Sequence, residues 1–383
     1  MYDALVRFVR EQYRTQDFIP LHAPVFKGRE SDYVQQTIES TFVSSVGAFV
    51  DRFEADAANY TGAQRAVATV NGTAALHAAL LLAGVKRGDL VITQALTFVA
   101  TCNAIAYCGA MPVFVDVDRH TLGLSPSALA AWLEANARLD TDGNCRLQVD
   151  DRRIAACVPM HTFGHPAELA GLVEVCKRWG LPLVEDAAES LGSFYQGQHT
   201  GTFGLLGALS FNGNKIITTG GGGMILTDAE TGARAKHLTT TAKRPHPYEY
   251  VHDELGFNYR LPNLNAALGC AQLEQLEAFI ASKRELAARY QDHLAGSDFQ
   301  FVSEPQGCRS NYWLNALICP DRARRDGLLH ATNGAGVMTR PIWELMCDLP
   351  LYAGCLADNL VNSRWLAECV VNLPSSVLPE HLA

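Results

Sequence analysis

The chain has 383 residues, of which 48% are hydrophobic and 19% charged, with a formal net charge of −9. That length exceeds one ordinary core and allows a large domain plus a smaller one, while the acidic balance excludes a surface built for nucleic acid or anionic membrane. Any phosphate must therefore be gripped by local donors, and the expected partner is a small molecule. The 11 cysteines are scattered without CxxC spacing, and Cys102, Cys108, Cys157 and Cys176 lie in apolar stretches. They read as reduced, buried thiols of a cytoplasmic protein with no metal site. The N-terminal MYDALVRFVREQYRTQ is mixed and charged, so neither a secretion signal nor a membrane span is expected.

In chain order, residues 1–16 predict an amphipathic helix, with Leu5, Phe8, Val9 and Tyr13 spaced to pack on the larger domain. Phe18 to Pro24 is extended, and Glu30 to Thr41 reads as a helix. Ala66 to Val70 then forms a strand, Asn71-Gly72-Thr73 a turn, and Ala74 to Ala83 a helix. Amide N–H groups at a helix start make an anion site above such a turn, although an ordinary strand-turn-helix has the same pattern. Leu90 to Gln94 and Pro112 to Asp116 are further strands around a helix ending near Tyr107. Asp140 to Arg146 is polar and reads as a surface loop. Ile154 to Pro159 is a buried strand that delivers His161 to the same edge, where a lone histidine is more often structural than catalytic.

A helix from Ala167 to Trp179 precedes Leu181-Pro-Leu-Val-Glu-Asp186, a short apolar rise that ends in two carboxylates. This is the pattern of a buried parallel strand, and open α/β sheets bind ligands at the C-terminal ends of such strands. Further on, Lys215 follows Ser210 by five residues and runs into Gly220 to Gly223. A lysine amine condenses reversibly with an aldehyde once its surroundings favour the neutral form. A lone lysine beside a glycine run is as readily a surface residue, but Asp186 upstream changes the reading. A carboxylate keeps a pyridine nitrogen protonated, and the protonated ring draws electrons. Asp186, Lys215 and the anion turn at Gly72 and Thr73 together predict pyridoxal 5'-phosphate. A long helix from Ala266 to about Leu294, a strand from Tyr312 to Ile318, a helix from Arg322 to Asn333 and a strand from Val370 to Leu373 complete the chain.

Asn71-Gly-Thr-Ala-Ala-Leu76, Asp186-Ala-Ala-Glu189, Ser210-Phe-x-x-x-Lys215, Gly220-Gly-Gly-Gly-Met224 and Gly256-Phe-Asn-Tyr-Arg-Leu-Pro-Asn-Leu-Asn-Ala-Ala-Leu-Gly269 resemble the motifs of the nucleotide-sugar aminotransferases of the DegT/StrS type, over about Phe18 to Pro374. The resemblance implies an α/β protein of the aspartate aminotransferase fold (fold type I). Its large domain, 1–270 with an N-terminal arm, would hold a mainly parallel seven-stranded sheet, and a smaller α+β domain, 271–383, would follow. It implies that Phe98 stacks on the cofactor ring, that Ser210 joins the cofactor contacts, and that Glu189 stands where relatives carry glutamine against the ring hydroxyl. It also implies a homodimer in which Asn258 reaches the neighbour's cofactor phosphate. His161, Tyr312, Trp313 and Arg340 are candidate contacts to the sugar nucleotide.

The activity so implied is transfer of an amino group from L-glutamate, releasing 2-oxoglutarate, to a nucleotide-linked 4-keto-6-deoxy sugar for surface-glycan synthesis. Phe18 to Phe26, Thr41 to Gly47 and Met338 to Trp343 resemble the branch that makes bacillosamine- and legionaminic-type sugars, which implies a UDP-linked N-acetyl sugar. A GDP-linked 4-keto-6-deoxymannose, giving perosamine, is the alternative. A related sugar dehydratase is disfavoured because Lys215 stands where those relatives carry histidine. A Rossmann oxidoreductase lacks its GxGxxG fingerprint here. A catalytically silent regulatory protein would have little use for Lys215, Asp186 and the anion turn together.

Overall fold

The computed structural model describes residues 2–381; Met1 of the predicted first helix and the last two residues of the predicted small domain lie outside them. Seven strands build the main sheet: β1 (Arg65–Thr69), β2 (Leu90–Gln94), β3 (Met111–Val115), β4 (Ile154–Val158), β5 (Val184–Asp186), β6 (Leu206–Ser210) and β7 (Gly223–Thr227). Parallel ladders join β3 to β2, β2 to β4 and β5 to β6. Parallel bridges Cys157–Leu183 and Met160–Asp186 carry the sheet from β4 to β5. Antiparallel β7 lies between β6 and β1, so the order is β3-β2-β4-β5-β6-β7-β1.

The strands are short apolar runs because both faces are covered. Alternation along each strand divides the core: Ala66, Ala68, Met224 and Leu226 face Val50, Phe53 and Ala57 of the helix Ala48–Thr61 and Ala266 and Cys270 of the helix Asn263–Leu273. Val67, Ala208 and Ile225 face the helices Gly72–Leu82 and Ala229–Thr239. The C-terminal ends of β2, β4, β5 and β6 open on one edge, and β1 ends there too, since antiparallel β7 separates it from β6. That edge is where the sequence places its candidate residues.

A second, antiparallel sheet centres on Asn315–Ile318, flanked by Gln300–Phe301 and by Val370–Leu373, which pairs with Arg340–Pro341. Three expectations are corrected here. The single helix predicted from Ala266 to Leu294 is two, Asn263–Leu273 and Leu276–Leu294; at the break the Gln275 side chain turns back to the Ala271 carbonyl and to Glu30. The strand predicted from Tyr312 begins only at Asn315, because Tyr312 has a left-handed φ of +46° that takes the preceding segment out of the sheet. The first helix, Tyr2–Tyr13, does not pack on the large sheet. Its Leu5 and Val9 join Leu286, Tyr290, Leu294 and Leu328, and Phe8 stacks on His293 with ring centres 4.1 Å apart. No helix among the described residues is long and apolar enough to cross a membrane.

Phe53 tests the packing of this frame. It is fully buried, its ring centre lies 5.0 Å from that of Phe211, and a Cβ added at Gly269 would fall 2.8 Å from its ring. Phe53→Ala should lower the unfolding free energy by about 3–5 kcal/mol in a denaturant titration; a change under about 1 kcal/mol would show this helix–sheet contact to be loose.

Candidate active site

The five strand ends surround a cavity of about 490 Å³. At the end of β1 the chain turns at Asn71, whose Oδ1 accepts the Ala74 N–H at 2.7 Å and caps the helix Gly72–Leu82. This leaves the amides of Gly72 and Thr73 at the open, positive end of the helix, and both residues line the cavity. Glycine is needed at two points. A Cβ on Gly72 would lie 2.8 Å from Ser210 Cβ, and one on Gly223 would lie 2.4 Å from the Asn71 carbonyl. Close approach of β6 and β7 to the turn is thus what shapes the anion site.

β5 ends in two buried carboxylates that alternate to opposite faces. Asp186 lines the cavity; its Oδ2 accepts from Thr101 Oγ1 at 2.7 Å and its Oδ1 from the Ala188 N–H at 3.2 Å. Burial pushes its pKa up, and the Thr101 bond works against that shift. Glu185 turns the other way, into a shell made by His161 Nε2 at 3.0 Å and the N–H groups of Gly201, Phe203 and Gly204. Burial opposes its charge, but His161 and these amides outweigh it and hold the carboxyl below its usual range.

This settles His161, which the sequence had offered as a substrate contact. It is fully buried, its Nδ1 accepts the Ala167 N–H at 3.1 Å, and so Nε2 carries the proton toward Glu185. Both nitrogens are used, and the ring supports the strand rather than the cavity. Tyr312 is likewise displaced. It is 6% exposed, its hydroxyl accepts the Glu304 N–H at 3.0 Å, and the left-handed turn at this residue sends its neighbour Trp313 into the cavity instead.

Lys215 enters from the loop after β6. Its Nζ lies 3.2 Å from Glu189 Oε1 and 4.0 Å from the centre of the Trp313 ring. Glu189 is 4% exposed, and its other oxygen accepts the Phe163 N–H at 2.9 Å. Burial pushes the Glu189 pKa up and Lys215 pulls it back. Phe98 precedes the helix Val99–Tyr107 and is 48% exposed; its ring centre lies 6.2 Å from that of Trp343 on the opposite wall. Ser210 and Arg340 also line the cavity. Asn258 does not: it is exposed, and its Oδ1 accepts from Arg260 Nε at 2.9 Å.

Sequence reasoning missed Thr101, Phe163 and Trp343. Thr101 lies three residues after Phe98, in the first turn of the helix that Phe98 precedes, and that spacing is a usable signal. Phe163 acts through its backbone amide at a φ of +58°, which no side-chain pattern reveals. The donor set fits pyridoxal phosphate: amides at a helix start for a phosphate, an exposed aromatic face, a buried carboxylate open to one side, and an amine.

Comparison with known proteins agrees. The model of the DegT/DnrJ/EryC1/StrS aminotransferase family matches residues 24–380. The chain is 36% identical to the GDP-perosamine synthase of Escherichia coli O157:H7, over 88% of this chain and 87% of that one. It is 34% identical to the GDP-perosamine synthase of Caulobacter vibrioides, over 93% of each. Among solved structures, the aminotransferase TlmJ from Streptoalloteichus hindustanus superposes with a TM-score of 0.84 at 29% identity, covering 94% of this chain and 93% of that one. The architecture is that of fold type I, and the chain belongs to the DegT/DnrJ/EryC1/StrS family as a sugar aminotransferase dependent on pyridoxal 5'-phosphate.

Proposed function

We propose that this enzyme moves the amino group of L-glutamate to C4 of GDP-4-keto-6-deoxymannose, with Lys215 as its reacting amine. The observation that carries the choice of sugar is the likeness, over 87% or more of both chains, to proteins named GDP-perosamine synthases. The expectation of a UDP-linked N-acetyl sugar, drawn from three short stretches, finds no comparable support.

Pyridoxal phosphate, when bound, supplies an electron sink for the bond broken at the donor's α-carbon. The chain's own residues do the rest. Gly72, Thr73 and Ser210 would hold the phosphate through local donors, and Asp186, one oxygen of which is fixed by Thr101, would keep the ring nitrogen protonated. Phe98, exposed to the cavity, would offer its ring for stacking on the cofactor. The Lys215 amine would take the proton from the donor's α-carbon in the first half of the reaction and deliver a proton to C4 of the sugar in the second. Glu189 balances the lysine's charge while it waits. Trp313, Arg340 and Trp343, from the unit after residue 270, form the wall for the sugar nucleotide. Arg340 is exposed, and its guanidinium donates only to Thr339 O and Asn333 Oδ1. Among the described residues it has no carboxylate partner, which leaves its charge available to a diphosphate. Because Asn258 lies outside its own cavity, its proposed contact is with the cofactor phosphate of a second copy in a homodimer.

Gly72→Ala should weaken cofactor binding by about 5- to 100-fold, the range expected for one forced methyl in a packed site. Titration of the apoprotein with pyridoxal phosphate reads this, with Gly334→Ala, which has open space around it, as the control; equal affinity in both variants would remove Gly72 from the phosphate site. With glutamate as donor, kcat/KM should be at least about tenfold higher for the GDP-linked ketone than for the UDP-linked N-acetyl ketone, a difference that one or two contacts supply. Preference for the UDP substrate would reverse the assignment.

A further inference from the structure

Lys283 takes no part in the chemistry above, yet it is wholly buried in the helix Leu276–Leu294. Its Nζ donates to two backbone carbonyls, Trp313 O at 3.2 Å and Ser375 O. Among the described residues no carboxylate lies within ion-pairing distance of it. Burial alone pulls its pKa down to about 7, and a neutral amine has two N–H donors for these two carbonyls. Nearby, His22 is also buried, and burial is the first cause that pulls its pKa down.

An apolar side chain would fill such a position at lower cost than an amine, so the feature to explain is what the amine holds. It holds an arch. Residues 310–314 leave the second sheet through the left-handed Tyr312, a conformation that non-glycine residues adopt only when their surroundings impose it. The neighbouring Arg284 fixes one foot, donating to Ser310 O at 2.8 Å and to Glu304, which itself accepts the Ser310 N–H. Lys283 fixes the other foot at Trp313. From the crown, Asn311 Nδ2 donates to the carbonyls of Glu189 and Leu191. Trp313 Nε1 donates to Asn214 O at 2.7 Å, directly before Lys215. The arch therefore holds the ring over the Lys215 amine, the Glu189 that pairs with it and the loop that presents it.

We propose that Lys283 is a positioning residue for transamination, which fixes Trp313 over Lys215 from behind and so controls how readily that amine reacts. The inference rests on Lys215 as the reacting amine, but its test reads the amine without turnover. In the full-length apoprotein, acetic anhydride labelling at one mildly alkaline pH, followed by peptide mass spectrometry, gives the rate at Lys215. Lys283→Met removes both N–H donors at similar length. The Lys215 rate should rise at least about threefold, the loss of one cation–π contact with a tryptophan, while unfolding stays cooperative. Trp313→Phe should move the rate the same way, and the double variant should add nothing beyond the larger single effect. Lys283→Gln keeps an amide NH2 but on a shorter side chain that also brings an acceptor oxygen, so it should fall between wild type and Met, which preserves the test if Lys283→Met fails to fold. An unchanged Lys215 rate in a folded Lys283 variant, or additive effects in the double variant, overturns the proposal. If another lysine proves to carry the cofactor, the reading of the site fails while these rates stand as measured.

Discussion

Two carboxylates buried beside a single amine set the terms for everything at the sheet edge. Asp186 and Glu189 are 5% and 4% exposed, and an unpaired anion so placed is costly. Lys215, 3.2 Å from Glu189, is worth roughly 5 kcal/mol of attraction at an effective dielectric near 20, before desolvation is counted. That answers one anion. Asp186 keeps only the bonds from Thr101 and Ala188 and faces the cavity raised by burial. A protonated ring nitrogen is the cation that would complete it, so the same imbalance favours the cofactor. The strand order serves this arrangement. β5 lies between β4 and β6, which puts Asp186 at the middle of the edge, on the same cavity as the helix start at Gly72.

Much of this was legible in the sequence because fully covered parallel strands are written as short apolar runs, and the residues just past the end of each run sit at the ligand edge. Asp186, Lys215, Gly72, Thr73, Ser210 and Phe98 were all reached that way or through the motifs around them. Direction was the misleading part. His161 ends a strand as predicted, but the side of the strand on which it lies meets Glu185, not the cavity. Tyr312 and Trp313 are neighbours in a run that reads as strand, and of the two candidates a left-handed turn that no propensity signals leaves only Trp313 on the cavity.

Other gaps have similar physical causes. The helix Ala48–Thr61 was passed over because its buried face mixes Val50, Phe53 and Ala57 with Glu54, which accepts from the Ala68 N–H at 2.8 Å and from Lys236 at 2.6 Å. A buried acid breaks the apolar period from which a helix is read. The docking of the first helix depended on the distant residues Tyr290, Leu294 and Leu328, which spacing within the helix could not reveal. Nothing in the spacing of its helix marks Lys283 as buried; only the carbonyls around it do.

One covalent bond underlies the chemistry of this site, and that bond can be located directly. Reduction of the purified holoenzyme with borohydride fixes the cofactor to the amine that carries it, and digestion followed by mass spectrometry identifies the peptide. The pyridoxyl group should be found on Lys215, in the segment between Ser210 and Met224. Its recovery on Lys283 or on any other lysine, with Lys215 unmodified, would contradict the site described here.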